Sequence, residues 1–94
     1  MRYELSRQAS AEIDAIIEYT DAYFGPAQTE DYLRGLYRSF ELLSDNPKMG
    51  QEWAQGRRCY IYRQHYVFYR IMEDHLFVTD IRNTRTQIPD DWRK

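Results

Sequence analysis

The 94-residue sequence has a single cysteine, only two histidines and no long apolar run. The one cysteine, Cys59, excludes an internal disulfide bond and a zinc site built from several cysteines. Its place in the strand-like run RRCYIY favours a small buried thiol. No apolar run approaches the roughly 20 residues of a membrane-spanning helix. The N-terminal MRYELSRQ has no signal-peptide core, so we expect a cytoplasmic protein without a membrane partner.

The motifs of common enzyme classes are missing as well. There is no glycine-rich phosphate loop, no nucleophile elbow and no paired carboxylate at a strand end. His65 and His75 have no carboxylate at the spacing of three or four residues that would complete a metal site. His65 could act as a general base in RNA cleavage, but a half-exposed histidine at a hairpin corner is the favoured interpretation. We therefore expect no catalytic residues, no cofactor and no metal.

Length and charge indicate one small domain with an uneven charge distribution. Residues 1–94 are too few for two domains, so we expect a single one. The net charge of −2 combines a net charge of −5 over residues 1–56 with a net charge of +3 over residues 57–94. This basic excess is too small for a dedicated DNA-binding domain, and we do not expect the chain alone to recognise a DNA sequence. It indicates that one face of the molecule differs electrically from the other.

Two amphipathic helices are predicted in the first half of the chain. A short strand, Arg2–Leu5, precedes Ser6, whose hydroxyl can accept hydrogen bonds from the free amides of the helix that follows. Apolar residues at steps of three and four give that helix one apolar face. Gly25 ends it, and Pro26 suits the first turn of a second helix, which runs from about Ala27 to Ser44. Two helices joined by such a short break form an antiparallel hairpin.

Three strands are predicted in the second half. The segments RRCYIYR, HYVFYRIM and HLFVTDIR are rich in Tyr, Val, Ile and Phe, and short turns separate them. Short links allow hairpins but not parallel crossovers, so we expect an antiparallel meander with HYVFYRIM at its centre. The short first strand must pair in the same sheet, because four residues are not stable alone. The predicted fold is α+β in the order β-α-α-β-β-β, with the helical hairpin packed on one face of an antiparallel sheet.

Nearly all basic residues of the second half are arginines. Four of them fall in predicted strands: Arg58, Arg63, Arg70 and Arg82. On the sheet face opposite the helices, they could lie near Tyr60, Tyr62 and Tyr69. A surface of Arg and Tyr suits the recognition of phosphate or carboxylate, because the planar guanidinium group binds two oxygens at once. The alternative is that these are the polar side chains that a solvated sheet face needs.

Five short segments, taken together, carry a family resemblance. They are YELS before the first helix, IIEYTDAYFG at its end, LSDNPKMG after the second helix, HYVFYRI in the middle strand and IRNTR near the end of the chain. In this order and spacing they resemble the ParE branch of the RelE/ParE toxin superfamily over nearly the whole chain. The family fold is a helical hairpin on an antiparallel sheet, in agreement with the periodicity.

The resemblance implies the toxin of a type II toxin–antitoxin system, with two alternative activities. RelE-type members are ribosome-dependent endoribonucleases, which need basic and acid–base side chains, including a tyrosine or histidine in the C-terminal tail. Here Arg58, Arg63 and Arg82 could bind phosphate, but the tail NTRTQIPDDWRK has no His and no Tyr. ParE-type members poison DNA gyrase and are neutralised by an antitoxin, often ParD-like. The sequence resembles this branch better, and a non-toxic member that only binds an antitoxin is a third possibility.

The resemblance also suggests residues that contact the two partners. For the target, DNA gyrase, the candidates are Arg58, Arg63, Arg82, Arg85 and Trp92. We expect replacement of Arg82 and Arg85 by alanine to relieve toxicity and leave the fold intact, and Trp92 could instead dock on its own sheet. For the antitoxin, the candidates are four tyrosines of the helical hairpin: Tyr19, Tyr23, Tyr32 and Tyr37. Aromatic rings with polar tips are common at interfaces, although each of these rings could simply border the core.

Overall fold

The structure is a computed structural model that describes residues 1–93. Its helices and strands are β1 (Arg2–Leu5), α1 (Arg7–Phe24), α2 (Pro26–Asp45), β2 (Gln51–Glu52), β3 (Arg58–Tyr62), β4 (His65–Ile71) and β5 (His75–Asn83). The predicted order is confirmed, with the two-residue strand β2 as an addition. Neither α1 nor α2 has the combination of length and hydropathy that would let it span a membrane.

The ends of α1 follow the predicted capping pattern. The Ser6 hydroxyl accepts a hydrogen bond from the Ala9 amide at 2.9 Å and donates one to the Thr79 carbonyl at 2.6 Å, so the same side chain also ties the helix to β5. Gly25 has a φ of 88°, a conformation that glycine adopts at little cost. This residue lets the chain reverse between α1 and α2, and the helical hairpin is confirmed.

The sheet has the strand order β1-β5-β4-β3-β2. The strands β3, β4 and β5 form the predicted antiparallel meander. The first strand also pairs in the sheet as expected, but it runs parallel to β5, with Arg2 opposite His75 and Leu5 opposite Val78. The sheet is therefore mixed. No turn connects β1 to β5, so nothing in the local sequence determined the relative direction of these two strands.

The main core lies between the helical hairpin and one face of the sheet. Its buried residues are Ala9, Ile13, Leu36, Phe40, Leu43, Val67, Tyr69, Leu76, Val78 and Ile81. Tyr69 is fully buried in it, and its hydroxyl donates to the Pro47 carbonyl at 2.6 Å and accepts from the Gly50 amide at 3.0 Å. Tyr60 and Tyr62 pack against the same core. The prediction of an Arg and Tyr surface on the sheet face opposite the helices is therefore wrong, because Tyr60, Tyr62 and Tyr69 all face the helices.

A second, smaller core covers the opposite face of the sheet. Its buried members are Cys59, Phe68 and Ile88, with Trp53, Tyr66 and Trp92 packed around them. Because side chains alternate along a strand, Cys59 and Phe68 point away from the helices. Burial raises the pKa of Cys59 to about 12, so its thiol stays protonated at neutral pH. The buried thiol predicted from the sequence is confirmed.

Candidate functional site

A concavity of about 810 Å³ lies between the helical hairpin and one end of the sheet. Its walls come from α1, α2, the turn between β3 and β4, and the segment that follows β5. Six of its lining side chains matter here: Tyr19, Phe24, Tyr32, Arg63, His65 and Arg85. We call this concavity the hairpin pocket.

Two neighbouring turns place the pocket's arginines at the same end of the sheet. Arg63 and Gln64 form the turn between β3 and β4, and Arg63 has a φ of 51°. Arg85 follows β5, and its amide donates to the Asn83 side chain at 2.9 Å. The Thr84 amide donates to the Gln64 carbonyl at 2.8 Å, which joins the two turns. Hence Arg63 and Arg85, which are 22 positions apart in the sequence, line one pocket.

A hydrogen-bonded pair, Tyr32 and His65, connects α2 to the start of β4. The Tyr32 hydroxyl contacts Nδ1 of His65, and the two ring centroids are 5.4 Å apart. Burial lowers the pKa of His65, and burial together with the nearby Tyr62 raises the pKa of Tyr32. Both groups are therefore uncharged at neutral pH, and the His65 tautomer determines which of the two donates the hydrogen. Within residues 1–93 no group of three His, Cys, Asp or Glu side chains could hold a metal ion.

The arginines make the hairpin pocket locally positive. The Arg63 guanidinium lies 5.3 Å from the Tyr62 ring centroid and 5.6 Å from that of Tyr32, which limits its freedom. It also contacts Asp31 at 3.2 Å in an ion pair whose side chains are 49% and 61% exposed. Within residues 1–93 no carboxylate lies at ion-pair distance from Arg85. Among the residues that the structure describes, no aspartate or glutamate lines the pocket.

Exposed aromatic side chains border the pocket at the end of α1. Tyr19 is 59% exposed and Phe24 is 58% exposed, and both line the pocket. Tyr23 is 70% exposed, and its ring lies 4.6 Å from that of Tyr19, but it does not line the pocket. Tyr37 instead packs edge-on against Phe40 beside the main core, with ring centroids 5.5 Å apart. The structure thus brings two of the four candidate tyrosines, Tyr19 and Tyr32, into one site.

Arg58 lies away from the pocket and supports the loop that follows α2. Its side chain is only 15% exposed. It donates from Nε to the Gly50 carbonyl at 3.1 Å and from Nη2 to the Lys48 carbonyl at 3.0 Å. Its remaining nitrogen lies 3.3 Å from a carboxylate oxygen of Glu52. The contacts of this guanidinium are therefore with the protein itself.

Arg82 occupies a half-buried cluster of charges between α1 and β5. Its Nε lies 3.1 Å from one oxygen of Glu12, and its Nη2 lies 3.5 Å from Asp80. Among residues 1–93, Nε is buried and has no hydrogen-bond partner, so its contact with Glu12 is an ion pair only. The other oxygen of Glu12 accepts a hydrogen bond from the Ile81 amide at 2.6 Å. Arg82 therefore neutralises two carboxylates that the fold has partly removed from water.

Trp92 docks on its own sheet, the second of the two possibilities for this residue. Its ring meets that of Phe68 at 83°, with centroids 5.2 Å apart. The guanidinium groups of Arg57 and Arg82 lie over the Trp92 ring at 4.3 Å and 5.6 Å. The proposed contacts of Arg58, Arg82 and Trp92 with a target stay predictions, but all three side chains already have partners within the molecule.

Two features of the site were not predicted from the sequence. Phe24 continues the apolar spacing of α1, which predicts burial, but its side chain is exposed. It forms part of the pocket wall. The hydrogen bond between Tyr32 and His65 joins residues 33 positions apart, and no local pattern in the sequence indicates it.

Comparison with known proteins gives three results. The model of a family described as the ParE toxin of the type II toxin–antitoxin system parDE matches residues 3–88. The chain is similar to Toxin ParE1 of Caulobacter vibrioides, with 40% identity over 73 residues, in a match that covers 73% of this chain and 75% of that protein. A solved structure described as the chromosomal ParDE TA system from P. aeruginosa superposes with a TM-score of 0.77, at 19% identity, over 88% of this chain and 95% of the other. This last likeness shows the shared fold.

Proposed function

Because the chain belongs to the ParE toxin family of type II toxin–antitoxin systems, we propose that it arrests growth by poisoning DNA gyrase and that a ParD-like antitoxin neutralises it. The observation that carries the proposal is the family match over residues 3–88, which includes both helices, the whole sheet from Tyr3 onward and the hairpin pocket.

A gyrase poison acts by binding, and the hairpin pocket offers groups suited to binding. Arg63 and Arg85 can each contact two oxygens of a carboxylate or phosphate. The exposed rings of Tyr19 and Phe24 offer apolar area beside these charges. Aromatic and arginine side chains together are the residues that most often dominate binding energy at protein interfaces. Within the proposal, Arg63 and Arg85 are the residues that contact the target.

A second candidate function, ribosome-dependent RNA cleavage, has one observation in its favour. His65 lies in the same pocket as Arg63 and Arg85, so a possible general base and two phosphate-binding groups are close together. Against it, Nδ1 of His65 is already engaged by the Tyr32 hydroxyl. Residues 84–93 also contain no His or Tyr that could protonate a leaving oxygen. Gyrase poisoning therefore remains the preferred proposal.

The proposal is tested with purified protein, purified gyrase and supercoiled plasmid DNA. After detergent and protease treatment, we expect linear DNA to accumulate in proportion to the added toxin, because the poisoned enzyme holds cleaved DNA. Absence of linear DNA, while a known gyrase poison gives it in parallel, would contradict gyrase as the target.

Expression in cells separates the two candidate functions and the non-toxic alternative. Gyrase poisoning predicts growth arrest with induction of the DNA-damage response and intact bulk mRNA. Cleavage of mRNA at the ribosomal A site would instead assign the chain to the nuclease branch. Normal growth at confirmed expression would indicate a chain that only binds an antitoxin.

A further inference from the structure

The C-terminal segment, residues 84–93, lies on the sheet face opposite the helices, and we call it the strap. It leaves β5 beside the hairpin pocket and ends against the loop between β2 and β3. Two of its side chains turn inward: Ile88 is buried in the second core, and Trp92 is partly buried beside it. The side chains at 85–87, 89–91 and 93 are exposed. Ile88 and Trp92 are therefore the anchors of the strap.

The hydrogen bonds of the strap are almost all local. Its amides donate as follows: Arg85 to the Asn83 side chain, Thr86 to the Asn83 carbonyl, Trp92 to the Pro89 carbonyl and Arg93 to the Asp90 carbonyl. Within residues 1–93, the one bond to a part of the chain distant in sequence is that of the first strap residue, Thr84, to the Gln64 carbonyl. No ion pair described for those residues involves the strap. From Arg85 onward, contacts of its side chains alone hold the strap to the sheet.

The anchors pack on side chains of the sheet that the strap covers. Ile88 shares the second core with Cys59 and Phe68, which are both buried. The Trp92 ring meets Phe68 edge-on, and the Arg57 guanidinium lies 4.3 Å from the Trp92 ring centroid. The strand β4 beneath them is hydrogen-bonded to both β3 and β5. A segment with few buried contacts and few hydrogen bonds to its neighbours opens at a lower free energy than strands paired on both sides.

The strap begins in the hairpin pocket and is anchored on the other face of the sheet. Arg85 and Thr86 line the pocket, whereas Ile88 lies in the second core. The chain between them is fixed at both ends, by the hydrogen bond of the Thr84 amide to the Gln64 carbonyl at one end and by Ile88 at the other. Because this stretch is short, the anchor helps to determine where the chain passes at Arg85.

We infer that Ile88 and Trp92 are positioning residues for Arg85, and that the strap undocks from the sheet as a unit while the rest of the fold stays intact. The docked strap holds Arg85 in the hairpin pocket beside Arg63. The undocked strap carries Arg85 out of the pocket and exposes Cys59. The undocking stands on the geometry alone, whereas its effect on target binding rests on the proposed function.

Undocking is measured through Cys59, the single cysteine of the chain, by its reaction with the aromatic disulfide reagent dithionitrobenzoate. The thiol is buried beneath the strap, so it reacts only when the strap or the whole sheet opens. Without urea, we expect labelling at least about tenfold faster than global unfolding allows. Its rate should depend only weakly on urea, because undocking exposes far less surface than unfolding does. A labelling rate that follows global unfolding at every urea concentration would overturn the separate opening of the strap.

A matched pair of variants tests the anchor. Ile88→Asp places a carboxylate in the second core and so favours the undocked strap, whereas Gln87→Asp places the same group at the exposed position before it. We expect Cys59 to label at least about 30-fold faster in I88D and within about threefold of the wild type in Q87D. Equal labelling in the two folded variants would contradict the role of Ile88.

Trp92→Ala provides the comparison should circular dichroism show that I88D does not fold. We expect Cys59 to label at least about tenfold faster in W92A than in the wild type. Trp92→Phe keeps an aromatic ring at this position, so its labelling rate should lie between those two. A wild-type rate in W92A would show that Trp92 does not anchor the strap.

A double-mutant cycle in the gyrase cleavage assay tests whether the strap acts through Arg85. We expect I88D and R85A each to lower the yield of linear DNA at least about threefold, and I88D/R85A to lower it no further than R85A alone. A further fall in the double variant, or undiminished cleavage by I88D, would overturn the positioning of Arg85 by the strap.

The outcomes separate this inference from the proposed function. If the wild type yields linear DNA but Cys59 labels only through global unfolding, the strap inference is wrong and gyrase poisoning stands. If the wild type yields no linear DNA, gyrase poisoning fails, and the labelling still decides whether the strap undocks. Hydrogen exchange of the Arg85 amide, measured by NMR, then tests positioning: we expect at least about tenfold faster exchange in I88D than in Q87D, and equal rates would overturn it.

Discussion

Arg58 and Arg82 differ from Arg63 and Arg85 in the contacts and the exposure of their guanidinium groups. The first two project from strands toward carboxylates and carbonyls of the protein itself, and their side chains are 15% and 32% exposed. Arg63 lies in a turn at 49% exposure, and Arg85 follows β5 and is exposed. The strand arginines therefore stabilise the fold, whereas the turn arginines are available to a partner.

The difference shows why arginine content alone does not identify a binding surface. A guanidinium group that has been partly removed from water needs a nearby carboxylate or carbonyl, and Arg82 has Glu12 and Asp80 for this reason. A guanidinium group in a turn remains hydrated and keeps its hydrogen-bonding capacity for another molecule. Substitution of a strand arginine should therefore lower the stability of the fold. Substitution of a turn arginine should instead weaken partner binding and have little effect on stability.

The largest expected effect is the destabilisation caused by Arg82→Ala. This change leaves the carboxylates of Glu12 and Asp80, which are 17% and 16% exposed, without their cation. We expect the free energy of unfolding to fall by about 2–3 kcal/mol, less than for a fully buried pair because Arg82 is itself partly exposed. Urea denaturation measures it. This expectation replaces the sequence-based one that alanine at position 82 leaves the fold intact.

The control for that experiment is Arg34→Ala, which also breaks an ion pair. Arg34 contacts Glu30 at 2.8 Å on the exposed face of α2, with both side chains more than half exposed. We expect a change of less than about 0.5 kcal/mol. Equal urea midpoints for the two variants would refute the distinction between structural and available arginines.

Trp92→Ala should have the next largest effect. The change removes the edge-on contact with Phe68 and the two guanidinium contacts above the ring. Because Trp92 is only partly buried, we expect a loss of about 2 kcal/mol, less than for a tryptophan in a full core. Thermal melting measures it, with exposed Tyr23→Ala as the control. An unchanged melting temperature in the tryptophan variant would show that the C-terminal segment does not support the sheet.

A smaller effect concerns pH and the Tyr32–His65 pair. Burial lowers the pKa of His65 below its ordinary 6.5, so the unfolded chain binds more protons than the folded one just below that pH. The free energy of unfolding should therefore fall as the pH decreases through and below 6.5. His65→Asn keeps a hydrogen-bonding side chain at this position but does not titrate, so the decrease in the free energy of unfolding should be smaller in this variant. An identical pH dependence in wild type and H65N would contradict this role.

Among the variants of candidate site residues, R63A/R85A should have the smallest effect on stability. Arg63 loses one exposed ion pair and its contacts with two aromatic rings, and Arg85 loses none of the ion pairs described for residues 1–93. We expect the free energy of unfolding to change by less than about 1 kcal/mol in total. Urea denaturation measures this change, and a loss as large as that of Arg82→Ala would place the turn arginines among the structural ones.

The sequence was sufficient for the helices and the meander because their signals are local. Ser6, Gly25 and the apolar spacing determine the ends and the faces of α1, and short turns determine the antiparallel pairing of β3, β4 and β5. The direction of β1 was not predictable, since it depends on contacts with a strand about 70 residues away. The two sheet faces could not be told apart either, because β4 is apolar on both.

The site was predicted only in part, for a related reason. Tyr19, Tyr32, Arg63 and Arg85 were candidates from the sequence, which did not show that they share a pocket, because that depends on how two turns and the hairpin meet. It also grouped Arg82 with the candidate binding arginines, since the carboxylate of Glu12 that engages it lies on another element, 70 positions earlier.

The most direct test of the central claim is the gyrase cleavage assay with R63A/R85A, compared with wild type and with R34A/R38A. If the turn arginines of the hairpin pocket contact the target, linear DNA should accumulate with the wild type and with R34A/R38A, and it should fall at least about tenfold with R63A/R85A. Undiminished cleavage by folded R63A/R85A would contradict the account.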